Sequence, residues 1–489
     1  MIRLISPVFL IIPLLALAAC TVNPATGEQS FTGFMSRADE MEVGKREHPK
    51  ILEQYGGRYD GQRIDAYVRD IGLGLARVSE VAGLPYTFTV LNDDKVNAFA
   101  LPGGYIYITR GLLALAGNEA EMAGVLAHEI GHITARHTAQ RYSQAMATNL
   151  GLQLLSAIGG SAGMPAGLGN LVSFGAQAIL QGYSRQQELE ADMLGVRYMV
   201  RAGYDANAMI TFLGKMEAHK RLVAVVSGDP KAAERFHIMA SHPRTSERVI
   251  QAIGMAKAAP AGRPRLQRET YLARVDGLLF GDDPKQGIRK GRLFLHPSLH
   301  FQFEVPPNFV LFNSPAKVVA RGPGGSVIAF DMVDAGKAKA AGNLAAHLAN
   351  TWGLKNVERI TINGMEAATG EKKVWSLKGG RMDTRFVAIR ERAGRLYRFV
   401  FITPPGLTRR LATDLQRTTY SFRLLSSREA AAIKPLRIAV ITVAGGDTAA
   451  TLARRMPFEK FRLEWFETLN GLPRGQSLNP GSQVKIVAE

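Results

Sequence analysis

The chain has 489 residues, of which 46% are hydrophobic and 21% are charged, and its formal net charge is +18. It is too long for one ordinary domain, and its composition is that of a globular protein whose units each bury a core. The 60 Lys and Arg residues are dispersed and accompany no recognition motif, so nucleic acid is not an expected partner. The positive charge instead favours attraction to anionic surfaces.

The first twenty residues have the pattern of an export signal. Arg3 gives a positive start, residues 4–19 are almost wholly apolar, and the run ends at Cys20, the only cysteine in the chain. Leu17-Ala-Ala-Cys20 resembles a bacterial lipobox, which predicts a signal peptide over 1–20 and a lipid on Cys20. A plain signal peptide or an uncleaved anchor is the alternative interpretation.

The residue after the cysteine bears on location. It is Thr21, whereas the lipobox resemblance associates an Asp there with retention at an inner membrane. We therefore expect a lipoprotein of the outer membrane that faces the periplasm and is held to the membrane by its N-terminal lipid. A lone cysteine leaves no intramolecular disulfide, so packing and metal must hold the fold.

Hydrophobic periodicity predicts the elements of the first half of the chain. The predicted helices cover 41–54, 64–77 and 118–140, and the predicted strands cover 86–91 and 105–109 after a turn-rich bridge at 97–104. Residues 142–184 then carry no charged side chain. They are either two buried helices joined by the glycine-rich loop 159–169 or a mobile flap near the functional site, and the pattern leaves both open.

His128-Glu-Ile-Gly-His132 is the motif that carries chemistry. Histidines four positions apart on a helix lie on one face, so both imidazoles can bind one zinc ion. Glu129 is rotated by about 100° from His128 and can take a proton from a metal-bound water. Apolar neighbours predict that this helix is buried.

Two histidines do not complete a catalytic zinc site, which usually has three protein ligands and one open position. If the helix continues, His137 lies on the face opposite His128, and we predict that it is a surface residue or a hydrogen-bond partner of a ligand. Position 138 is Thr and position 135 is Ala, so the turn and third histidine of a metzincin are missing.

Glu188-Leu-Glu190-Ala-Asp192 offers the missing ligand. Glu188 and Asp192 are four residues apart and share a helix face, whereas Glu190 points away. One of these two carboxylates can bind the metal while the other accepts a hydrogen bond from a ligand histidine.

His-Glu-x-Gly-His followed by Glu-x-x-Ala-Asp resembles the M48 family of gluzincin peptidases, whose branches include the CAAX prenyl proteases, HtpX and BepA. The resemblance covers about 24–255 and includes Asn97-Ala-Phe-Ala-Leu-Pro-Gly-Gly and Ser241-His-Pro243. It implies one zinc ion held by His128, His132 and Glu188, with Glu129 as the catalytic base.

The same resemblance assigns further residues. It implies that Asp192 orients a ligand histidine, that His242 approaches the zinc in a latent state, and that Arg248 helps to stabilise the oxyanion. It also implies that Asn97 and the strand beginning at Tyr105 border the cleft, where a substrate can add as a further strand.

The C-terminal fifty residues predict a strand, two helices and a strand. With Gly446-Asp-Thr and Leu469-Asn-Gly-Leu, this order resembles the LysM module, which binds N-acetylglucosamine polymers. Ala449 and Ala450 replace a bulkier residue and Pro457 intrudes between the helices. A docking unit without sugar affinity is therefore an equally weighted alternative.

We therefore predict a multidomain protein: a mainly α gluzincin-type peptidase domain with a small edge sheet, an α+β domain of unknown role, and a βααβ module. The predicted boundaries are 1–20 for the signal peptide, 21–258 for the peptidase, 259–290 for a linker, 291–428 for the α+β domain and 436–489 for the module.

The resemblance to the M48 family implies zinc-dependent cleavage of misfolded or misassembled envelope proteins, and the resemblance to LysM implies peptidoglycan as a further partner. Two alternatives stay open: a metal-dependent chaperone or assembly factor that seldom cleaves, and a peptidoglycan-binding lipoprotein.

Overall fold

A computed structural model describes most of the chain. The described residues are 20–158, 182–227, 264–334, 343–375, 380–391 and 394–489, with His242, Arg248, Gln251 and Gly254. The signal-peptide segment 1–19 and the glycine-rich loop 159–169 lie outside them. The described chain divides into two compact units: residues up to Phe280 with Arg437–Ala488, and Gly281–Leu436 with Glu489.

The helices are named in chain order. They are α1 Arg37–Gln54, α2 Gln62–Arg77, α3 Arg110–Leu115, α4 Glu119–Thr134, α5 His137–Ile158, α6 Arg185–Arg201, α7 Ala208–Ser227, α8 Arg268–Val275, α9 Leu344–Trp352, α10 Pro405–Ser421, α11 Ser427–Ala432, α12 Ala449–Ala453 and α13 Arg462–Asn470. No helix among these is both long and apolar enough to cross a membrane, as far as the described residues extend.

The strands are named in the same way. They are β1 Cys20–Val22, β2 Gln29–Phe31, β3 Thr87–Leu91, β4 Ala98–Leu101, β5 Tyr105–Thr109, β6 Ile288–Lys290, β7 Leu293–His296, β8 Phe301–Glu304, β9 Val310–Asn313, β10 Val318–Arg321, β11 Val327–Asp334, β12 Lys355–Ile362, β13 Met365–Trp375, β14 Arg381–Arg390, β15 Arg395–Thr403, β16 Arg423–Leu424, β17 Arg437–Thr442 and β18 Gln483–Ala488.

The first unit contains a three-stranded sheet in the order β3-β5-β4. β5 pairs in parallel with β3 and antiparallel with β4, so it is the central strand. Both edges of β5 are already hydrogen-bonded, so a substrate cannot add to it as a further strand, and the place of Asn97 and Tyr105 beside the cleft stays a prediction. β4 is an edge strand, and it packs against α4.

Helix α4 carries the His-Glu-Ile-Gly-His motif and is buried along its whole length. Asn118 caps its first turn by accepting a hydrogen bond from the backbone N–H of Glu121 at 2.9 Å. The predicted single helix over 118–140 is wrong, because the chain leaves helical geometry after Thr134. Arg136 has a φ of 57°, in the left-handed region, and α5 begins at the next residue in a new direction.

Two glycines let α4 and α6 approach closely. A Cβ on Gly131 of α4 would lie 2.9 Å from the carbonyl oxygen of Ala191, and one on Gly195 of α6 would lie 3.2 Å from the backbone N of His128. Both distances are shorter than ordinary van der Waals contact. The helices that carry the predicted ligands can therefore pack backbone to backbone only because neither position has a side chain.

The segment 259–290, predicted as a linker, contains the packed helix α8. Tyr271, Leu272 and Val275 are fully buried, and the Tyr271 hydroxyl donates to the carbonyl of Leu113 at 2.6 Å. The proline, glycine and basic residues before α8 suggested a linker, but the apolar face of this helix belongs to the core of the first unit.

The C-terminal elements β17, α12, α13 and β18 follow the predicted strand-helix-helix-strand order, with β17 antiparallel to β18. They belong to the first unit. Lys485 of β18 is fully buried, and its ammonium donates to the carbonyls of Ala114, Leu115 and Ala116 at 2.5, 3.2 and 2.7 Å. These carbonyls end α3 and have no helical partner, so the lysine caps that helix.

The second unit combines β-sheets with helices. A seven-stranded antiparallel sheet runs in the order β12-β13-β14-β15-β11-β10-β9, and a four-stranded sheet runs β16-β8-β7-β6. Aromatic side chains dominate its core, among them Phe301, Phe303, Phe330, Phe399 and Phe422. The predicted multidomain arrangement of helices and sheets is confirmed at this level.

Candidate metal centre

Three buried side chains from α4 and α6 form the centre. His128 and His132 lie one turn apart on α4, and Glu188 lies in the first turn of α6. A capping box fixes the start of α6: Ser184 accepts from the backbone of Gln187, and the Gln187 side chain accepts from the backbone of Ser184, both at 3.2 Å. This cap places the Glu188 carboxylate beside the two imidazoles.

The donor atoms have the spacing of a metal site. The Nε2 atoms of His128 and His132 are 3.1 Å apart, and they lie 3.8 and 3.4 Å from the two Glu188 oxygens. A tetrahedral zinc site with bonds of about 2.0–2.1 Å has ligand–ligand distances of about 3.3 Å. Two imidazoles and a carboxylate at such distances fit zinc, the metal of M48 metallopeptidases.

The surroundings of His132 and Glu188 set the protonation states that a metal ligand needs. Burial lowers the pKa of His132 well below its ordinary value, so its imidazole is neutral. Burial alone would raise the pKa of the Glu188 carboxyl, but the neighbouring imidazoles of His242 and His132 bring it well below its usual range. Glu188 is therefore an anionic ligand, as a divalent cation requires.

Asp192 and Arg248 contact the ligands His128 and Glu188 and hold them in place. The Asp192 carboxylate lies 2.9 Å from Nδ1 of His128, which leaves Nε2 of this histidine facing the centre. Arg248 donates from Nε to Asp192 at 2.6 Å and from Nη1 to Glu188. Asp192 thus lies beside a ligand histidine, and its orienting role stays a prediction. The Arg248 guanidinium is bound to Glu188 and Asp192, and its oxyanion role also stays a prediction.

His242 lies inside the same cluster. Its Nδ1 is 2.8 Å from Glu188 and 3.2 Å from Nε2 of His128, and its Nε2 is 3.4 Å from Glu129. One donor atom from each of His128, His132, Glu188 and His242 can lie within 4.8 Å of the others. His242 therefore contacts two of the ligands and the predicted base, and its latent-state role stays a prediction.

His137 was predicted to be a surface residue or a partner of a ligand, and the structure selects the second alternative. It is fully buried, and its Nδ1 lies 2.8 Å from Nδ1 of His132. The break at Arg136 brings it there, which an uninterrupted helix would not do. Its Nε2 lies 3.1 Å from Glu190, the carboxylate that points away from the centre.

Tyr183 was not singled out from the sequence. Its ring stacks on His132 with centroids 3.9 Å apart, and its hydroxyl lies 3.3 Å from that of Thr138. Burial raises the pKa of this hydroxyl to about 12, so it is protonated at neutral pH. The position before the cap of α6 carries no motif, so only the tertiary structure reveals it.

A pocket opens beside His132. Its walls are the edge strand β4, the turn after it and polar side chains of α1 and of the break: Arg37, Glu40, Ala100, Leu101, Pro102, Gly103, His132, Ile133, Arg136, Thr138 and Tyr183. Asn97 lies just before β4, and its backbone N–H donates to the Thr109 hydroxyl at 3.0 Å.

Comparison with known proteins agrees with this geometry. Residues 62–256, which include both ligand helices, match the sequence profile of peptidase family M48. The chain carries an M48 peptidase domain. The predicted family resemblance and the prediction of a zinc metallopeptidase domain are thereby confirmed.

Relatives of this M48 domain are named as proteases. The beta-barrel assembly-enhancing protease of Escherichia coli (strain K12) is 30% identical over 248 residues, which are 49% of this chain and 48% of that protein. The putative beta-barrel assembly-enhancing protease of Vibrio cholerae is 32% identical over 221 residues, 43% of each chain. The mitochondrial metalloendopeptidase OMA1 of Schizosaccharomyces pombe is 29% identical over 203 residues, 40% of this chain and 59% of that one. The chain thus spans about half the length of the curated relatives it matches.

Proposed function

We propose that this protein is a zinc-dependent endopeptidase that hydrolyses peptide bonds in misfolded or misassembled proteins of the bacterial cell envelope. The observation that carries the proposal is the buried cluster of His128, His132 and Glu188 beside Glu129 within an M48 domain. The proposal of envelope substrates rests on the names of the bacterial relatives and on the lipobox-like sequence at Cys20.

Each side chain of the centre has its own role in the proposed peptide-bond hydrolysis. Zinc held by the three ligands would polarise the scissile carbonyl and activate water at neutral pH. Glu129, buried one position after His128, takes a proton from that water and returns it to the leaving amine. His242 occupies the space in front of Glu129, so it has to move before a peptide can enter.

The substrate backbone adds to β4. This strand lies at the edge of the sheet, next to the ligand helix, and its end lines the pocket beside His132. An extended peptide gains main-chain hydrogen bonds at such an edge, which gives affinity with little dependence on sequence. Such tolerance suits an enzyme whose clients share exposed backbone rather than one motif.

We place the enzyme in the periplasm, attached to the outer membrane through a lipid on Cys20. The sequence Leu17-Ala-Ala-Cys20 followed by Thr21 supports this location. Cys20→Ser should move the protein from the membrane fraction to the soluble fraction and abolish fatty-acid labelling. Equal membrane association of the variant and the wild type would contradict the anchor.

Glu129→Gln tests the enzymatic proposal. The amide keeps the size of the side chain but cannot accept the proton, so turnover of casein or of an unfolded envelope protein should fall by about 10²–10⁴-fold. Zinc content and client binding should stay unchanged. Glu53→Gln, an exposed change on α1, is the matched control and should cleave normally.

The same variant separates the proposal from a chaperone that seldom cleaves. If Glu129→Gln degrades clients as fast as the wild type, the endopeptidase proposal is wrong. If the wild type binds clients without cleaving them in zinc-replete buffer, the chaperone alternative replaces it.

A further inference from the structure

We propose that His137, Glu190 and Asn23 form a hydrogen-bonded relay that positions the metal ligand His132 and ties it to the N-terminal hairpin β1–β2. The proposal rests on the metal centre described above and not on peptide-bond hydrolysis. None of the three residues is a predicted metal ligand, and they come from three separate segments of the first unit.

The contacts run in series from the centre outward. Nδ1 of His132 lies 2.8 Å from Nδ1 of His137, and Nε2 of His137 lies 3.1 Å from Oε2 of Glu190. The other oxygen of Glu190 accepts from the Asn23 side-chain amide at 2.5 Å. His137 is fully buried, Asn23 is 4% exposed, and the Glu190 side chain is 16% exposed. Water therefore competes little for these bonds.

Only one arrangement of protons satisfies every contact. A metal at the centre requires a lone pair on Nε2 of His132, which places this ring's proton on Nδ1. That proton is donated to Nδ1 of His137, so His137 carries its own proton on Nε2 and donates it to Glu190. Asn23 completes the chain as a donor. The relay thus fixes both the tautomer and the ring orientation of His132.

The two ligand histidines are oriented differently. Nδ1 of His128 lies 2.9 Å from the Asp192 carboxylate, whereas Nδ1 of His132 reaches a carboxylate only through His137. A ligand histidine usually donates its other N–H to a carboxylate, a carbonyl or water. Here an imidazole bridges the distance because Glu190 projects from the side of α6 that faces away from the metal.

The break between α4 and α5 makes the relay possible. Arg136 holds the break with three contacts, from Nε to Glu40 at 3.3 Å, from Nη1 to the Thr32 hydroxyl at 3.2 Å and from Nη2 to the Met35 carbonyl at 2.6 Å. These bonds offset the cost of a left-handed backbone at a residue other than glycine. They also hold the segment 32–40, which follows the hairpin, against the break between α4 and α5.

The hairpin end of the relay is itself fixed. The Asn23 carbonyl oxygen Oδ1 accepts from the backbone N–H of Ala25 at 2.9 Å, so its amide nitrogen is directed to Glu190. Arg197 of α6 donates to the Ala25 carbonyl at 2.9 Å. The hairpin is thereby docked on the helix that carries Glu188, and a change in the hairpin is transmitted to the metal.

Zinc affinity in the full chain, measured by competition with a chromophoric chelator, tests the relay without proteolysis. Loss of a partner that orients a ligand typically weakens metal binding 10–100-fold. We expect about that loss for His137→Ala, about tenfold for Glu190→Gln, and several-fold for Asn23→Ala. Thr21→Val is the matched control, because it removes the 2.7 Å contact with Thr32 in the same hairpin, while the Thr32 hydroxyl still accepts from Arg136 and no contact of the relay is lost.

Two further measurements distinguish positioning from general destabilisation. The visible spectrum of the cobalt-substituted protein should change in His137→Ala and stay unchanged in Thr21→Val. The melting temperatures of the metal-free variants show how much of any loss in affinity comes from a less stable fold. Because the residues act in series, His137→Ala with Glu190→Ala should lose no more affinity than His137→Ala alone, within about twofold. If His137→Ala does not fold, the zinc affinities of Glu190→Gln and Asn23→Ala test the relay in its place.

The outcomes separate the relay from the metal centre. Wild-type affinity and an unchanged cobalt spectrum in folded His137→Ala, while Glu188→Gln loses zinc, would overturn the relay alone. An Asn23→Ala variant that behaves like Thr21→Val would overturn the link to the hairpin. A wild-type chain that binds no zinc would overturn the centre and the relay with it.

Discussion

At the scale of single residues, the centre is a set of charges that compensate one another. Glu188 receives hydrogen bonds from Arg248 and His242, and Asp192 receives one from Arg248 and lies 2.9 Å from Nδ1 of His128. The favourable contacts lower the pKa values of both carboxyls despite their burial. Two anions can therefore stay buried without a metal, which keeps the site preformed.

His242→Ala tests the latent state. The change removes the ring that lies between Glu129 and Glu188, so the cleft should become accessible. If about 90% of the molecules are closed, turnover of an unfolded protein should rise about tenfold, because only the open fraction binds substrate. Steady-state cleavage of casein, normalised to bound zinc, measures this. Turnover that falls while zinc is retained would contradict a gating role.

At the scale of elements, the contact between α4 and α6 decides whether three ligands converge. Gly131→Ala would place a methyl group 2.9 Å from the Ala191 carbonyl oxygen, and backbone cannot rotate aside as a side chain can. We expect the helices to separate, with a loss of about 1–3 kcal/mol in stability and a marked loss of zinc affinity.

Gly214→Ala in α7 is the control for this prediction, because no heavy atom lies within 4 Å of the position that the added methyl group would take. The same substitution there should raise stability by up to about 1 kcal/mol through helix propensity. Thermal melting of the metal-free proteins, with zinc titrations, compares the two. Equal effects at both positions would mean that helix contact does not position the ligands.

At the scale of the whole molecule, the C-terminal elements stabilise the peptidase unit through Lys485. Burial and the charges of Lys215 and Arg268 lower its pKa well below the ordinary value, against the opposing effect of Glu121. Because the folded state releases this proton more readily than the unfolded state, this lysine's contribution to stability grows as pH rises toward about 10.5.

Lys485→Met removes that dependence. The free energy of unfolding of the wild type minus that of the variant should increase between pH 7 and pH 9.5, by at most about 1.4 kcal/mol per pH unit. Urea unfolding followed by Trp465 fluorescence, with Trp352 and Trp375 replaced by Phe, reports on the first unit. A difference that is constant with pH would mean that the lysine does not titrate on unfolding.

The βααβ elements carry a second prediction at this scale, that they bind N-acetylglucosamine polymers. The intact chain should sediment with purified peptidoglycan and be released by soluble chitin oligomers but not by cellulose oligomers of equal length. The intact chain is needed because truncation would also remove Lys485 from the peptidase unit. Equal release by both sugars, or no sedimentation, would favour a docking unit without sugar affinity.

The sequence by itself determined the chemistry of the centre and the order of most elements. His128 and His132 share a face because the helical period places positions i and i+4 together, and the alternation over 86–91 predicted the strand β3. These inferences depend on local geometry, which neighbouring residues dictate.

Only the tertiary structure decided the rest. No local sequence pattern predicts the break at Arg136 after α4. The left-handed backbone of this residue is stabilised by Thr32, Met35 and Glu40, about a hundred residues earlier. That break turns His137 into a partner of His132. The central position of β5 likewise follows from pairing with two strands, a long-range contact that no periodicity records.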